Sequence, residues 1–148
     1  MAKRVLLQLV ASLALLASGC ESGPHSSSGF RLPPDGNAQR GKAAFVAFGC
    51  HNCHQVAGAD VPMPTVQPPV PVALGGVVDR QVTDGYLVTS IIYPSYQLAS
   101  YPKEQITTNG QSRMPHFADK MSVRQLTDIV AFLQSEYVVR QNPPPYGR

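Results

Sequence analysis

The feature that most constrains this chain is the run Cys50-His51-Asn52-Cys53-His54. Residues at i, i+3 and i+4 share one face of a helical turn, so both sulfurs and one imidazole point the same way. Several chemistries use cysteines at this spacing. A disulfide between Cys50 and Cys53 would close a very short loop and contribute little. A thioredoxin-like redox pair needs a preceding strand and a βαβ setting, and neither is present around residue 50. A zinc site needs a second Cys or His pair at matching spacing, and His25, His51, His54 and His116 provide none. With a histidine directly after the second cysteine, the pattern is an attachment sequence for one covalent haem c. Cys50 and Cys53 reach the two vinyl groups on one porphyrin edge, and His54 lies beneath the iron as proximal ligand.

Such a group meets a need that the composition creates. At 148 residues the chain is long enough for one small domain, and it has 14 prolines and no tryptophan. Its own side chains make a thin core, to which a largely apolar cofactor adds volume. The iron then needs a sixth ligand. Met114-Pro115 lies in a polar loop shortly before the last predicted helix, placed to fold over the opposite haem face. A thioether is soft and neutral, favours the ferrous state and raises the reduction potential. The alternative for Met114 is a gap-filling core residue. Met63-Pro64 follows His54 so closely that it suits the border of the proximal side. His116 would lower the potential if it displaced Met114, and His51 points away from the iron.

The ends of the chain read differently from its middle. Lys3 and Arg4 precede an apolar stretch over 5–17, then Ala17-Ser18-Gly19 and Cys20. This is a signal peptide over 1–19, too short and too closely followed by a cleavage pattern to be a transmembrane helix. Its ending resembles the lipobox of bacterial lipoproteins, with alanine in place of the usual leucine, which makes Cys20 the expected lipidation site. Residues 20–35, rich in Ser, Gly and Pro, read as a flexible tether, and 141–148, with three consecutive prolines, as a tail. Without Lys3 and Arg4, ten basic residues face nine acidic ones. That balance, with no basic run carrying interleaved aromatics, gives no reason to expect nucleic acid as a partner.

Residues 36–140 form the expected domain, an all-α fold of three to five short helices with long loops. The first helix starts from an Asn37 cap and carries Ala38, Gly41, Phe45 and Phe48 on one face before Gly49 stops it. The second starts at Thr83, with Val82 and Leu87 as a hydrophobic staple, and ends before Pro94. The third has a Ser122–Gln125 capping box and an apolar stripe of Leu126, Ile129, Val130, Leu133 and Tyr137. Residues 55–80 read as loop punctuated by proline and glycine, which packs well only around something central.

From residue 41 to about 134 the sequence resembles the class I cytochrome c family, and especially the cytochrome c domain fused to subunit II of some haem–copper oxidases. The matching stretches are Gly41-Lys42-Ala43-Ala44-Phe45, Cys50 to His54, Leu74-Gly75-Gly76-Val77-Val78-Asp79-Arg80, Tyr86 to Ser95, Met114-Pro115-His116-Phe117 and Leu126 to Leu133. The resemblance implies that Gly41 marks the crossing of the first and last helices, where Phe132 approaches and Phe45 packs. It implies that a proline carbonyl supports the proximal imidazole, here from Pro69 or Pro71 because Pro71-Val72-Ala73-Leu74 displaces the usual proline by one. It places Arg80 where a haem propionate is often met, the alternative being a solvated loop arginine. Tyr93, Tyr96 and Tyr101 either line the haem edge or fill the core. Residues 99–113 make a longer lead-in to the methionine than the family's usual one.

The expected activity is outer-sphere transfer of single electrons, with no enzymatic step. The protein would be exported and lipid-anchored to a bacterial membrane, facing the periplasm or cell exterior. A redox donor and acceptor, such as a dehydrogenase and a terminal oxidase, would be its partners. The alternatives are a subunit dedicated to one such complex, and a haem sensor or peroxidase with a labile Met114, although a peroxidase of the related type would need a second haem motif.

Overall fold

A computed structural model of the chain describes residues 31–70 and 72–141; the expected signal peptide, Cys20, most of the expected tether, Pro71 and the tail beyond 141 lie outside them. The order of elements is α1 (Ala38–Ala47), a 3-10 turn (Cys50–Asn52), β1 (Val56–Ala57), β2 (Leu74–Val78), α2 (Asp84–Ile92), α3 (Lys103–Ile106), β3 (Thr107–Thr108), β4 (Gln111–Ser112), α4 (Val123–Glu136) and β5 (Tyr137–Val139). The small, mainly helical fold with long loops is the one the sequence leads one to expect.

The helices begin and end where their capping residues dictate. Asn37 caps α1 by accepting the Arg40 N–H at 2.8 Å, and Gly49, at φ 73°, ends it in a left-handed conformation that costs a glycine nothing. Thr83 caps α2 through the Tyr86 N–H. Ser122 and Gln125 form both halves of the capping box at the start of α4.

The core sits where α1 crosses α4. Phe45, Ile129, Val130, Phe132 and Leu133 are buried there, and α2 adds Leu87, Val88 and Ile91. The Phe45 and Phe132 rings meet edge to face, centroids 5.6 Å apart, a contact that contributes about 1 kcal/mol beyond its buried area. Gly41 makes the crossing possible, because a Cβ there would fall 1.8 Å from the Asp128 carbonyl oxygen and 2.8 Å from Phe132 Cβ.

Beside that crossing the buried Asp128 carboxylate accepts from the Arg40 guanidinium at 2.8 and 2.9 Å and from the Asn37 N–H at 2.8 Å. The Arg40 hydrogen bonds hold its pKa below the ordinary carboxylate value. A folded-state pKa below the unfolded one adds stability above the unfolded value, near pH 4, and that stability is lost as pH falls through the folded one. Asp128→Asn is expected to cost about 2 kcal/mol at neutral pH. It should also flatten the part of the acid limb below about pH 4. Denaturant unfolding of the haem-loaded protein across pH reads both effects, and an unchanged acid limb would count against the pairing.

Residues 55–80 are not all loop. β1, β2 and β5 form a parallel three-stranded sheet in the order β1-β2-β5, with Val56 opposite Leu74 and Gly76 opposite Tyr137. Gly75 and Gly76 adopt φ of 71° and 77°, and a Cβ on Gly75 would meet the Ala57 carbonyl oxygen at 2.9 Å. Strands this short and rich in glycine carry no alternating pattern. Tyr137, read from its spacing as part of the last helical stripe, instead caps α4 and opens β5.

At the start of the domain Leu32 packs against the core and Asp35 pairs with Arg124 at 2.7 Å, so contacts begin a few residues before 36. Among the described residues no helix is long and apolar enough to cross a membrane.

Candidate haem-attachment site

The attachment turn is fixed by its own backbone. His54 N–H donates to the Cys50 carbonyl at 3.0 Å, closing one helical turn, and Asn52 N–H donates to the Gly49 carbonyl at 3.0 Å. Cys50, Cys53 and His54 are thereby set on a single turn. Cys50 and Cys53 are not joined to each other, and Cys50 is half-buried and Cys53 exposed. Burial pushes the Cys50 thiol up to about 11. Catalytic redox cysteines have lowered values, so the shift at Cys50 runs in the direction opposite to that of a thioredoxin-like nucleophile. Among the described residues no group of three or more His, Cys, Asp or Glu is gathered as metal ligands, which leaves the zinc reading without a ligand set.

The sheet orients the imidazole. Pairing of Val56 with Leu74 carries the residues two places earlier together, and His54 Nδ1 lies 2.9 Å from the Val72 carbonyl oxygen. Nδ1–H donating to that carbonyl leaves Nε2 with its lone pair available for a metal. The supporting group is a main-chain carbonyl, but not a proline's. It belongs to Val72, two residues before Leu74. A backbone carbonyl has no side-chain signature, so strand register selects it. The loop that follows is held against the turn by Asn52, whose carbonyl accepts from Val66 N–H at 2.9 Å and whose side chain accepts from Thr65 Oγ1 at 3.0 Å.

Residues 112–117 lie near the attachment turn. Phe48, two residues before Cys50, meets Phe117, three after Met114, edge to face with centroids 6.1 Å apart. Met114 is half-buried against the core and near His54. His116 is exposed, as is Met63. Tyr93, Tyr96 and Tyr101 are exposed too, so they do not fill the core. Arg80 is exposed just beyond β2, next to Asp79, which pairs with Arg140 at 3.0 Å. A groove of about 460 Å³ lined by Val88, Ile92, Met121, Val123 and Leu126 includes none of Cys50, His54 and Met114 and is a separate feature.

The residues present fit haem c. Cys50 and Cys53 lie three residues apart on one turn, and the imidazole of His54, directly after them, already has Nδ1 hydrogen-bonded. A small helical fold built around such a set defines a c-type haem protein. The Cytochrome c family model matches residues 38–136, two thirds of the chain, and the protein belongs to that family. No curated protein and no solved structure matches it. Family members are electron carriers and not enzymes, and the Cys50/Cys53 motif indicates one covalent haem c.

The sequence reading missed the β3–β4 hairpin before Met114, where Thr107 pairs with Ser112 and Thr108 with Gln111. Asn109 and Gly110 turn it with φ of 52° and 76°. Asn-Gly between short polar strands was the available signal.

Proposed function

We propose that this chain is an exported, lipid-anchored monohaem cytochrome c that uses His54 and Met114 as its axial ligands. It passes single electrons from a membrane or exported dehydrogenase to an acceptor such as a terminal oxidase. The observation that carries the reading is the His54–Val72 hydrogen bond, which leaves Nε2 free for a metal; the Phe48–Phe117 ring contact, which brings the Met114 loop near the attachment turn, supports it. Haem, when bound, supplies a one-electron iron couple. The protein's residues do the rest. Cys50 and Cys53 form the thioether bonds, Val72 fixes the imidazole tautomer, and Met114 completes the coordination and excludes exogenous ligands. Arg80 is proposed to meet a haem propionate. Its position after β2 supports this, since the neighbouring acid is already engaged by Arg140.

Export is supported by the signal-like N-terminus and by the attachment sequence, because covalent haem is added on the far side of the bacterial membrane. The terminal oxidase is proposed as acceptor because of the resemblance to oxidase-fused cytochrome domains. With His54 and Met114 both holding the iron, no position would be left for a substrate, which suits outer-sphere transfer. The reduced, haem-loaded protein is expected to give a low-spin spectrum that carbon monoxide does not alter at neutral pH. Met114→Ala should bind the gas readily. Ready binding by the parent protein would overturn the six-coordinate reading and favour a sensor or peroxidase.

A further inference from the structure

The segment carrying Met114 is fastened to the C-terminal end of α2 on both sides of the methionine. Downstream, Phe117 N–H donates to the carbonyl of Ile91, in the last turn of α2, at 3.2 Å. Carbonyls of a last helical turn lack partners within the helix, so this bond also satisfies the helix end. Upstream the fastening runs through two serine hydroxyls. Ser112 N–H donates to Ser95 Oγ at 3.0 Å, and Met114 N–H donates to Ser112 Oγ at 3.1 Å. Ser95 follows the buried Pro94, which fixes the exit from α2.

The hairpin delivers Ser112 to this place. Its pairing with Thr107 and the bond from Arg113 N–H to the Ile106 carbonyl at 2.9 Å set the height at which the strand leaves towards the methionine. Met114 is half-buried, so an N–H deprived of its acceptor there is not freely satisfied by water, and the backbone must shift to recover a partner. A shift of the Met114 backbone is a shift of its sulfur.

We infer that Ser112 and Ser95 are positioning residues for the sixth ligand, a two-serine relay that fixes the approach of Met114 and limits how readily its thioether leaves the iron. The inference rests on Met114 being that ligand, and the experiment separates the two. In the ferric, haem-loaded protein, entry of added imidazole is limited by release of the methionine, and the sulfur-to-iron charge-transfer band reports the bond directly. Ser112→Ala and Ser95→Ala are each expected to speed imidazole entry roughly three- to tenfold, the size of one partly buried hydrogen bond, and to weaken the band. Ser112→Thr, which keeps the hydroxyl, should stay near the parent rate. Thr107→Val removes the 2.7 Å bond from Thr107 Oγ1 to the Lys103 carbonyl in the same arm and should also leave the rate unchanged.

Ser95→Ala leaves Ser112 in place and is decisive by itself if the Ser112 variant does not mature. Parent rates in both alanine variants, with Met114→Ala opening the iron at once, would overturn the relay and leave the ligand standing. A Thr107→Val effect equal to that of Ser112→Ala would reduce the relay to general loosening of the arm and overturn it. An unchanged spectrum and rate in Met114→Ala would remove ligand and relay together.

Discussion

The double substitution Cys50→Ser/Cys53→Ser is expected to yield a chain without covalent porphyrin, whereas the parent chain, matured in its own export pathway, carries the mass of one haem. The bond in question is a thioether, formed when a thiol adds across a vinyl group, and a serine hydroxyl does not form it under the same conditions. The two cysteines are not joined to each other, and the helical turn closed from His54 N–H to the Cys50 carbonyl sets them and the imidazole on one turn. Either cysteine alone can keep one of the two bonds, so single variants should retain attached haem in reduced yield. Mass spectrometry under denaturing conditions measures this directly. A parent chain with both thiols unmodified, or joined to each other, would remove the basis of the functional reading. The double variant should also be the least stable, because buried apolar surface in so small a domain is limited.

The second large effect belongs to Gly41→Ala. One added methyl would fall 1.8 Å from the carbonyl oxygen and 2.4 Å from the carbonyl carbon of Asp128. Those are backbone atoms of α4, which cannot swing aside as a side-chain tip can, so α1 and α4 must separate. Separation pulls the Phe45 and Phe132 rings apart and stretches the bonds from Arg40 and Asn37 to Asp128. Overpacking usually costs about 1–3 kcal/mol, and a clash with main chain puts this site at or above the top of that range. Set against a total stability of about 5–15 kcal/mol, that loss is large. Denaturant unfolding of the haem-loaded variant gives the value. A loss below about 1 kcal/mol would mean that the two helices do not cross as closely as the structure has them.

These effects differ in how far they can be read from sequence, and the difference has physical causes. The attachment turn was legible because its chemistry needs particular side chains at a fixed spacing. The three longer helices were legible because Asn37, Thr83 and Ser122 announce their starts and an apolar face follows each. The Gly41 crossing was expected from resemblance alone, since a glycine in a helix does not say which backbone it admits. The support for His54 was left open between Pro69 and Pro71 and falls on Val72, because every residue offers a carbonyl and only the register of β1 on β2 selects one. That register rests on two-residue and glycine-rich strands with no alternation to see. The Ser95–Ser112 relay joins residues 17 apart in sequence, through a hairpin that only the Asn109-Gly110 turn hinted at.

The course of the chain along α4 has a mechanical consequence. Fourteen residues make that helix roughly 21 Å long. The polypeptide arrives beside its first turn, where Asp35 pairs with Arg124, and departs past its last, where Arg140 N–H donates to the Val78 carbonyl at 2.8 Å. Tension between arrival and departure points therefore runs down the axis of one rod. It loads β5 along β2 and α4 against α1, so the paired strand and the helix crossing share it.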